Sequence, residues 1–154
     1  GKERFYHHTA PINMIYALYE SLRIIREEGL EQRYERHSIH SRAFGAGVTA
    51  MGLRLFAQEG HRAPMLMAVA IPEGVDDAAV RRYLLSNYRL EIGGGLGPLK
   101  GRIWRVGLMG HSCNSENVVL LLAGLEGALT AQGVPVERGA GIEAAREVYR
   151  ASGM

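Results

Sequence analysis

The residue with the clearest chemical potential is Arg105, in the apolar stretch Arg102 to Leu108. A strand here predicts Arg105 and Gly107 on one face and the side chains of Trp104 and Val106 on the other. A guanidinium matches a carboxylate with two parallel hydrogen bonds, and the small Gly107 leaves room for a ligand. An ion pair with an internal Asp or Glu accounts for the arginine equally well, so both interpretations stay open.

A second candidate is the segment Tyr6-His7-His8-Thr9, which combines hydroxyl groups with imidazoles just ahead of a helix start near Pro11. Donors placed before a helix can bind an anion such as phosphate. The alternative is a polar connector with one buried tyrosine, and the residues of this segment alone leave both interpretations open.

The remaining reactive side chains point to ordinary structural roles. His37 and His40 stand three residues apart, but the sequence offers no obvious further ligands, so we expect no metal site. Cys113 lies near a histidine that could activate a thiol, yet no third group completes such a site, and we expect a packed cysteine at a helix start. The carboxylate pairs Glu27-Glu28 and Asp76-Asp77 lie at helix ends and are expected to be solvated.

The spacing of apolar residues predicts the helices that position these candidates. The first pattern begins after Pro11 and stops at Gly29, with apolar positions at Ile12, Ile15, Tyr19 and Leu22. A second pattern runs from Leu30 through Leu55, which predicts a long helix whose Tyr and Phe stripe packs in a core.

Three shorter helices are predicted further along the chain. One starts at Asp76-Asp77 and ends near Asn87, and another is capped by Ser112 or Asn114. The last helix follows a polar break over residues 133–141.

The strand signals lie between these helices. Met65 to Ile71 is a short apolar run between two prolines, and Tyr88 to Ile92 and Arg102 to Leu108 are two further strands that we expect to pair antiparallel. The run Gly93-Gly94-Gly95-Leu96-Gly97-Pro98 is assigned to the turn between them, because no Gly-Lys-Ser/Thr follows it as in a phosphate loop. The sequence therefore predicts an α/β fold, a two-layer sandwich of a small, mostly antiparallel sheet with helices.

Composition excludes several classes of protein. The 154 residues are 47% hydrophobic, and 18 basic residues nearly balance 16 acidic ones, so we expect a folded domain without a nucleic-acid partner. The longest apolar runs fall far short of the roughly 20 residues that span a bilayer, so no membrane association is expected. The single cysteine fits a reducing compartment.

Three motifs together resemble the alanine–glyoxylate aminotransferase family, which has class V sequence features and the fold-type-I architecture of enzymes that use pyridoxal 5'-phosphate (PLP). They are Tyr6-His7-His8-Thr9-Ala10-Pro11, Glu91-Ile92-Gly93-Gly94-Gly95-Leu96-Gly97-Pro98 and Arg105-Val106-Gly107-Leu108-Met109-Gly110, in the family's order. The likeness extends over roughly residues 3–132, and it corresponds to the C-terminal portion of such an enzyme, including its small domain.

The resemblance implies a role for three residues. Arg105 takes the place of the arginine that grips the substrate α-carboxylate, and Tyr6 and Thr9 take the places of residues that contact the cofactor phosphate of the neighbouring subunit in a homodimer. The Schiff-base lysine of the family lies upstream of the Tyr-His-His-Thr segment, and neither Lys2 nor Lys100 matches it. We therefore expect no catalytic residue in this chain, and PLP bound mainly by an N-terminal part that it lacks.

The resemblance also divides the chain. Residues 1–12 correspond to the large-domain cofactor and dimer region, residues 13–133 to the small domain with its linking helix, and residues 134–154 to a C-terminal tail with a short helix. The implied reaction moves an amino group from alanine or serine to glyoxylate. Ureidoglycine as the donor, or a non-catalytic module that binds small acids or oligomerises, remain the alternatives. The terminal Ala151-Ser152-Gly153-Met154 lacks a peroxisomal tripeptide, which favours the cytoplasm.

Overall fold

The computed structural model describes residue 3 and residues 7–154 of the chain. The backbone forms two compact units, Gly1–Tyr34 and Glu35–Met154. The first unit is helical, and the second combines helices with a sheet. Within the described residues, no helix has both the length and the apolar character needed to cross a membrane.

Helix α1 (Ile12–Glu28) has the bounds that the sequence predicts. Pro11 precedes its first turn, and Gly29 ends it with φ of 85°, a left-handed value that glycine adopts without steric cost, while its N–H donates to the carbonyl of Ile25. No residue of α1 is buried. The predicted apolar face is more than half exposed at each of its four positions, Ile12, Ile15, Tyr19 and Leu22.

Helix α2 (Leu30–Ala50) is shorter than the sequence predicts. The predicted end at Leu55 is wrong because Gly52 takes φ of 78° and turns the chain out of the helix. The N–H of Leu53 then donates to the carbonyl of Val48 at 3.0 Å, the bond that closes a glycine-terminated helix. The helical spacing up to Leu55 therefore reflects a buried turn and the start of a strand.

The sheet has four antiparallel strands in the order β1-β2-β4-β3. They are β1 (Arg54–Leu55), β2 (Leu66–Ala70), β3 (Gly93–Gly94) and β4 (Ile103–Gly107). Strands β2 and β4 lie where the sequence predicts them, and they form the centre of the sheet. The α/β class and the small antiparallel sheet are confirmed.

The predicted strand from Tyr88 to Ile92 is wrong. Tyr88 is the last residue of α3 (Asp77–Tyr88), and Arg89 ends that helix with φ of 57°. The strand forms instead from Gly93 and Gly94, which the sequence predicts to lie in a turn, and they pair with β4. The next glycine allows a close approach, because a Cβ at Gly95 would lie 1.9 Å from the carbonyl oxygen of Leu99.

Side-chain N-caps begin the helices α3 and α4 (Ser115–Thr130). The Asp76 carboxylate accepts from two backbone N–H groups at the start of α3. Of the two predicted caps for α4, Asn114 is the one used, since its side-chain oxygen accepts from the N–H of Asn117. Helix α5 (Ala140–Ala151) follows the polar break, as predicted.

One face of the sheet carries the core. The register pairs Met67 with Val106 and Val69 with Trp104, and these four side chains are buried in one apolar cluster with residues of α2, α3, α4 and α5. The alternate strand positions face away from this cluster, as the predicted alternation of β4 requires. The second unit therefore has one sheet face covered by helices and another face that carries Arg105.

Candidate functional site

Arg105 lies in the middle of the sheet face that points away from the core. Its partners on the neighbouring strands are Ala68 of β2 and Gly93 of β3, and Gly107 lies two residues along β4. These three residues have little or no side chain, so the half-buried guanidinium of Arg105 is surrounded by backbone and small groups. A ligand can therefore approach the arginine across a shallow surface.

One atom of the guanidinium is fixed by the protein. The Nε–H of Arg105 donates to the carbonyl oxygen of Gly94 at 2.7 Å. No carboxylate of residue 3 or residues 7–154 forms an ion pair with Arg105. The internal ion pair that the sequence left open is thus not formed by the described part of the chain, and four N–H groups on the terminal nitrogens can meet a bidentate ligand.

Two glycines beside Arg105 make this arrangement possible. A Cβ at Gly93 would lie 3.2 Å from Nη2 of Arg105, and a Cβ at Gly107 would lie 3.1 Å from the Cε of Met109. A larger residue at either position would crowd the guanidinium or its surroundings. Met109 is half-exposed and adds an apolar border to this surface.

Asp77 forms a network on the opposite side of the same two strands. Its Oδ1 accepts from Nε1 of the fully buried Trp104 at 3.0 Å and from Nε of Arg81 at 2.9 Å, and its Oδ2 accepts from Nη2 of Arg81 at 3.2 Å. The hydrogen bond with Asp77 raises the pKa of Arg81. The expectation that Asp77 is a solvated helix-end carboxylate is therefore wrong, because the fold brings an indole donor to it.

The two predicted phosphate contacts fall in the first unit. Tyr6 lies outside the described residues. Thr9 is described and exposed, directly before α1. Its neighbours His7 and His8 are exposed and contact each other through their Nδ1 atoms. The contacts of this segment with a phosphate stay a prediction.

The two helical histidines have separate contacts. His40 is buried, and its Nδ1 lies 3.0 Å from the hydroxyl oxygen of Tyr149 on α5. Burial, with a smaller effect from the charges of Arg36 and His37, lowers the pKa of His40. His37 accepts through Nε2 from the backbone N–H of Gly110. Among the described residues there is no group of three His, Cys, Asp or Glu side chains that could hold a metal ion.

Cys113 is packed at the start of α4, where it is 1% exposed, as the sequence predicts. Burial raises the pKa of the adjacent Tyr149 hydroxyl to about 12, with a smaller contribution from Cys113. Both groups belong to the interior where α5 packs, and they lie apart from the exposed face of the sheet.

A complete PLP site needs a lysine for the Schiff base, and the residues around Arg105 do not provide one. Lys100 lies in the exposed loop ahead of β4. None of the described strand positions on the Arg105 face holds a lysine; besides Arg105 itself and Arg54 of β1, they hold the uncharged residues Leu66, Ala68, Ala70, Gly93, Ile103 and Gly107. The described residues thus fit a carboxylate-binding surface but do not fit the reactive end of PLP.

Comparison with known proteins finds aminotransferases that act on glyoxylate among the relatives of this chain. The chain is 46% identical over 153 residues to the (S)-ureidoglycine–glyoxylate transaminase of Bacillus subtilis, which covers 99% of this chain and 37% of that protein. It is 39% identical over 130 residues to the alanine–glyoxylate aminotransferase of Callithrix jacchus, covering 84% of this chain and 31% of that protein. No protein-family model matches the chain.

Solved structures agree with the sequence comparison. The ureidoglycine–glyoxylate aminotransferase of Bacillus subtilis superimposes with a TM-score of 0.90 at 47% identity, over 94% of this chain and 37% of that one. The pyridoxamine–pyruvate aminotransferase of Mesorhizobium loti superimposes with a TM-score of 0.92 at 33% identity, over 97% of this chain and 38% of that one. The chain spans about a third of the length of these relatives. Over that third, it is a homologue of the alanine–glyoxylate and ureidoglycine–glyoxylate aminotransferases, with structural neighbours in the class V PLP aminotransferase family.

Proposed function

We propose that this chain contains the residue that binds the substrate carboxylate in a PLP-dependent aminotransferase. The enzyme moves an amino group from alanine or serine to glyoxylate. The observation that carries the proposal is the guanidinium of Arg105, which lies among small residues without a carboxylate partner in the described part of the chain. A half-buried charge of this kind calls for an anionic partner. Relatives that act on glyoxylate support a carboxylate as that partner.

In this function Arg105 binds both substrates in turn, because the amino donor and glyoxylate each carry a carboxylate. Its two terminal nitrogens donate hydrogen bonds to the carboxylate in one plane, and the hydrogen bond from Nε–H to the Gly94 carbonyl fixes that plane. A charged hydrogen-bonded pair contributes about 1.5–3 kcal/mol. Bound PLP would supply the electron sink for bond breaking at the substrate Cα, and Arg105 would orient the Cα toward it.

The cofactor is bound mainly by parts of the enzyme that this chain does not contain. Thr9 and Tyr6 contribute contacts to the PLP phosphate of a neighbouring subunit, as the family resemblance implies. We expect the 154-residue chain alone to be inactive, because Lys2 and Lys100 do not match the family's Schiff-base lysine. Arg105 is therefore a binding residue, and the chain holds no catalytic residue.

The assembly we propose is a homodimer with shared sites. The exposed apolar face of α1 supports this proposal, since four apolar side chains there are more than half exposed. Residues 1–12 would belong to the large-domain cofactor region, residues 13–133 to the small domain, and residues 134–154 to the tail. We assign the enzyme to the cytoplasm, because the sequence has a single cysteine, which fits a reducing compartment.

Ureidoglycine is a second candidate donor. The support for it is the relative with 46% identity over 153 residues, which is a ureidoglycine–glyoxylate transaminase. Arg105 contacts only the carboxylate that all three donors share, so it does not discriminate among them. A non-catalytic module that binds small acids is the alternative from a different class.

The test uses this chain joined to the part of the Bacillus subtilis transaminase outside the match, which we call the fusion enzyme. Glycine formed from glyoxylate is measured with alanine, serine and ureidoglycine as donors, for the 154-residue chain alone and for the fusion enzyme. We expect glycine only from the fusion enzyme, and a rise in KM of tenfold or more on Arg105→Ala, since about 1.5–3 kcal/mol is lost.

Two outcomes would contradict the proposal. An unchanged KM in the Arg105→Ala fusion enzyme would exclude the carboxylate role. Glycine production by the 154-residue chain alone, above the level given by free PLP, would exclude the claim that its lysines are not catalytic. A second fusion, to the remaining part of the Callithrix jacchus enzyme, tests donor choice, because we expect donor preference to follow the host and not this chain.

A further inference from the structure

We propose that Asp77 is a positioning residue that holds Arg105 in its carboxylate-binding orientation through Trp104 and the backbone of Gly94. The inference rests on the proposed function of Arg105. It assigns a role to a side chain on the core side of the sheet, which does not touch the substrate.

The first link runs from Asp77 to β4. Its Oδ1 accepts the indole N–H of Trp104 at 3.0 Å, and Trp104 is fully buried and immediately precedes Arg105. Neighbouring residues of a strand point to opposite faces. Fixing the rotation of β4 at Trp104 therefore fixes the direction in which the Arg105 side chain leaves the other face.

The second link runs from Asp77 to β3. Gly94 is the cross-strand partner of Trp104, and a Cβ at Gly94 would lie 3.5 Å from Oδ2 of Asp77 and 3.7 Å from Nε of Arg81. The same Gly94 presents its carbonyl to Nε of Arg105 at 2.7 Å. The Asp77–Arg81 pair thus packs against the residue that sets the plane of the guanidinium.

Helix capping does not account for Asp77. The neighbouring Asp76 is the N-cap of α3, with Oδ1 accepting from the N–H groups of Ala78 and Ala79 at 2.8 and 3.2 Å. Asp77 instead turns its carboxylate toward β3 and β4 and is 20% exposed. Asp76 therefore provides a matched control: the same residue type, one position away, in the same helical turn.

The experiment compares Asp77→Ala, Asp77→Asn, Asp76→Ala and Arg105→Ala. The first readout is the Nε–H signal of Arg105 in the NMR spectrum of the 154-residue chain, identified by its loss in Arg105→Ala. We expect Asp77→Ala to speed exchange of this proton with water about tenfold, because the hydrogen bond to Gly94 opens more often. Asp77→Asn keeps an acceptor for the indole N–H and should restore slow exchange.

The second readout is kinetic and uses the fusion enzyme. We expect Asp77→Ala to raise KM for the amino donor about fivefold, with kcat within about twofold. The carboxylate is bound equally in the ground state and in the transition state, so weaker binding of it raises KM and leaves kcat unchanged. Asp77→Asn and Asp76→Ala should leave KM within about twofold of the unsubstituted enzyme.

The outcomes separate this inference from the proposed function. If Arg105→Ala leaves KM unchanged, the proposed function is wrong and the kinetic basis of the inference falls with it. If Arg105→Ala raises KM but Asp77→Ala changes neither KM nor Nε–H exchange, the inference alone is overturned. Equal effects of Asp77→Ala and Asp76→Ala would also overturn it, because they would indicate general loosening of α3.

Discussion

Gly93→Ala should weaken carboxylate binding without weakening the fold. The added methyl group would lie 3.2 Å from Nη2 of Arg105 and 3.5 Å from its Cζ and Nε, so the guanidinium must move by a few tenths of an ångström. Holding a side chain off its preferred rotamer costs about 0.5–1.5 kcal/mol. The midpoint, about 1 kcal/mol, corresponds to roughly a fivefold rise in KM for the amino donor.

Stability should change in the opposite direction. Gly93 lies in a strand and has no positive φ, so replacing it by alanine removes conformational freedom from the unfolded chain and should stabilise the fold by about 0.5–1 kcal/mol. Urea unfolding of the 154-residue chain measures the gain in stability. The KM and kcat of the fusion enzyme measure the loss of carboxylate binding. The prediction is a variant of equal or greater stability with weaker substrate binding.

Gly45→Ala is the control for this pair of measurements. Its Cβ would make ordinary contacts, 3.4 Å from Leu55 and 3.6 Å from Met67, in a helix away from Arg105. It should raise stability by a similar amount, about 0.5–1 kcal/mol, and leave KM unchanged. A Gly93→Ala enzyme with unchanged KM would refute the argument that the bare backbone at residue 93 makes room for the guanidinium.

Three further predictions follow from the same structure. Gly95→Ala should lower the free energy of unfolding by more than about 2 kcal/mol in urea titration, because its Cβ would lie 1.9 Å from the Leu99 carbonyl oxygen; a loss below about 0.5 kcal/mol would contradict the close approach. Arg105→Lys should raise KM less than Arg105→Ala does, because it keeps the charge but loses the planar fork; equal KM values would indicate no role for the charge. The unfolding free energy should also fall as pH drops below about 6.5, because burial lowers the pKa of folded His40 and the unfolded chain then binds the proton more tightly. His40→Gln should lose this part of the pH dependence, and an unaltered pH profile would contradict the assignment to His40.

Much of the Arg105 site could be predicted from sequence because strand alternation is a local property. The pattern in β4 placed Arg105 and Gly107 on one face and Trp104 on the other, and the register with β2 confirms it. The bounds of helix α1 are equally predictable from sequence, since Pro11 and Gly29 mark its ends through their own backbone preferences. These signals depend on a few neighbouring residues and need no tertiary contact.

The errors arose where a distant residue decides the conformation. Glycines are depleted in strands, so the sequence favours a turn at β3, yet Gly93 pairs with β4 beside Arg105, where the absence of a side chain leaves the guanidinium its room. The sequence predicts a solvated Asp77, because no neighbouring residue in the sequence indicates that the indole N–H of Trp104 donates a hydrogen bond to it. One local signal did exist: of two adjacent aspartates at a helix start, one N-cap is sufficient, and the other is free for a second role.

The geometry around Arg105 also limits what the site can recognise. A guanidinium has five N–H groups, and Gly94 accepts one of them, which leaves four directed at whatever occupies the open face. Ala68, Gly93 and Gly107 offer no polar side chain to a ligand. A carboxylate can use two of the four donors in parallel, but these three positions offer no polar group that could bind the rest of the ligand. Substitution of Arg105 should therefore raise KM for the amino donor and for glyoxylate by a similar factor, and a loss confined to one of them would mean that the two carboxylates are held at different places.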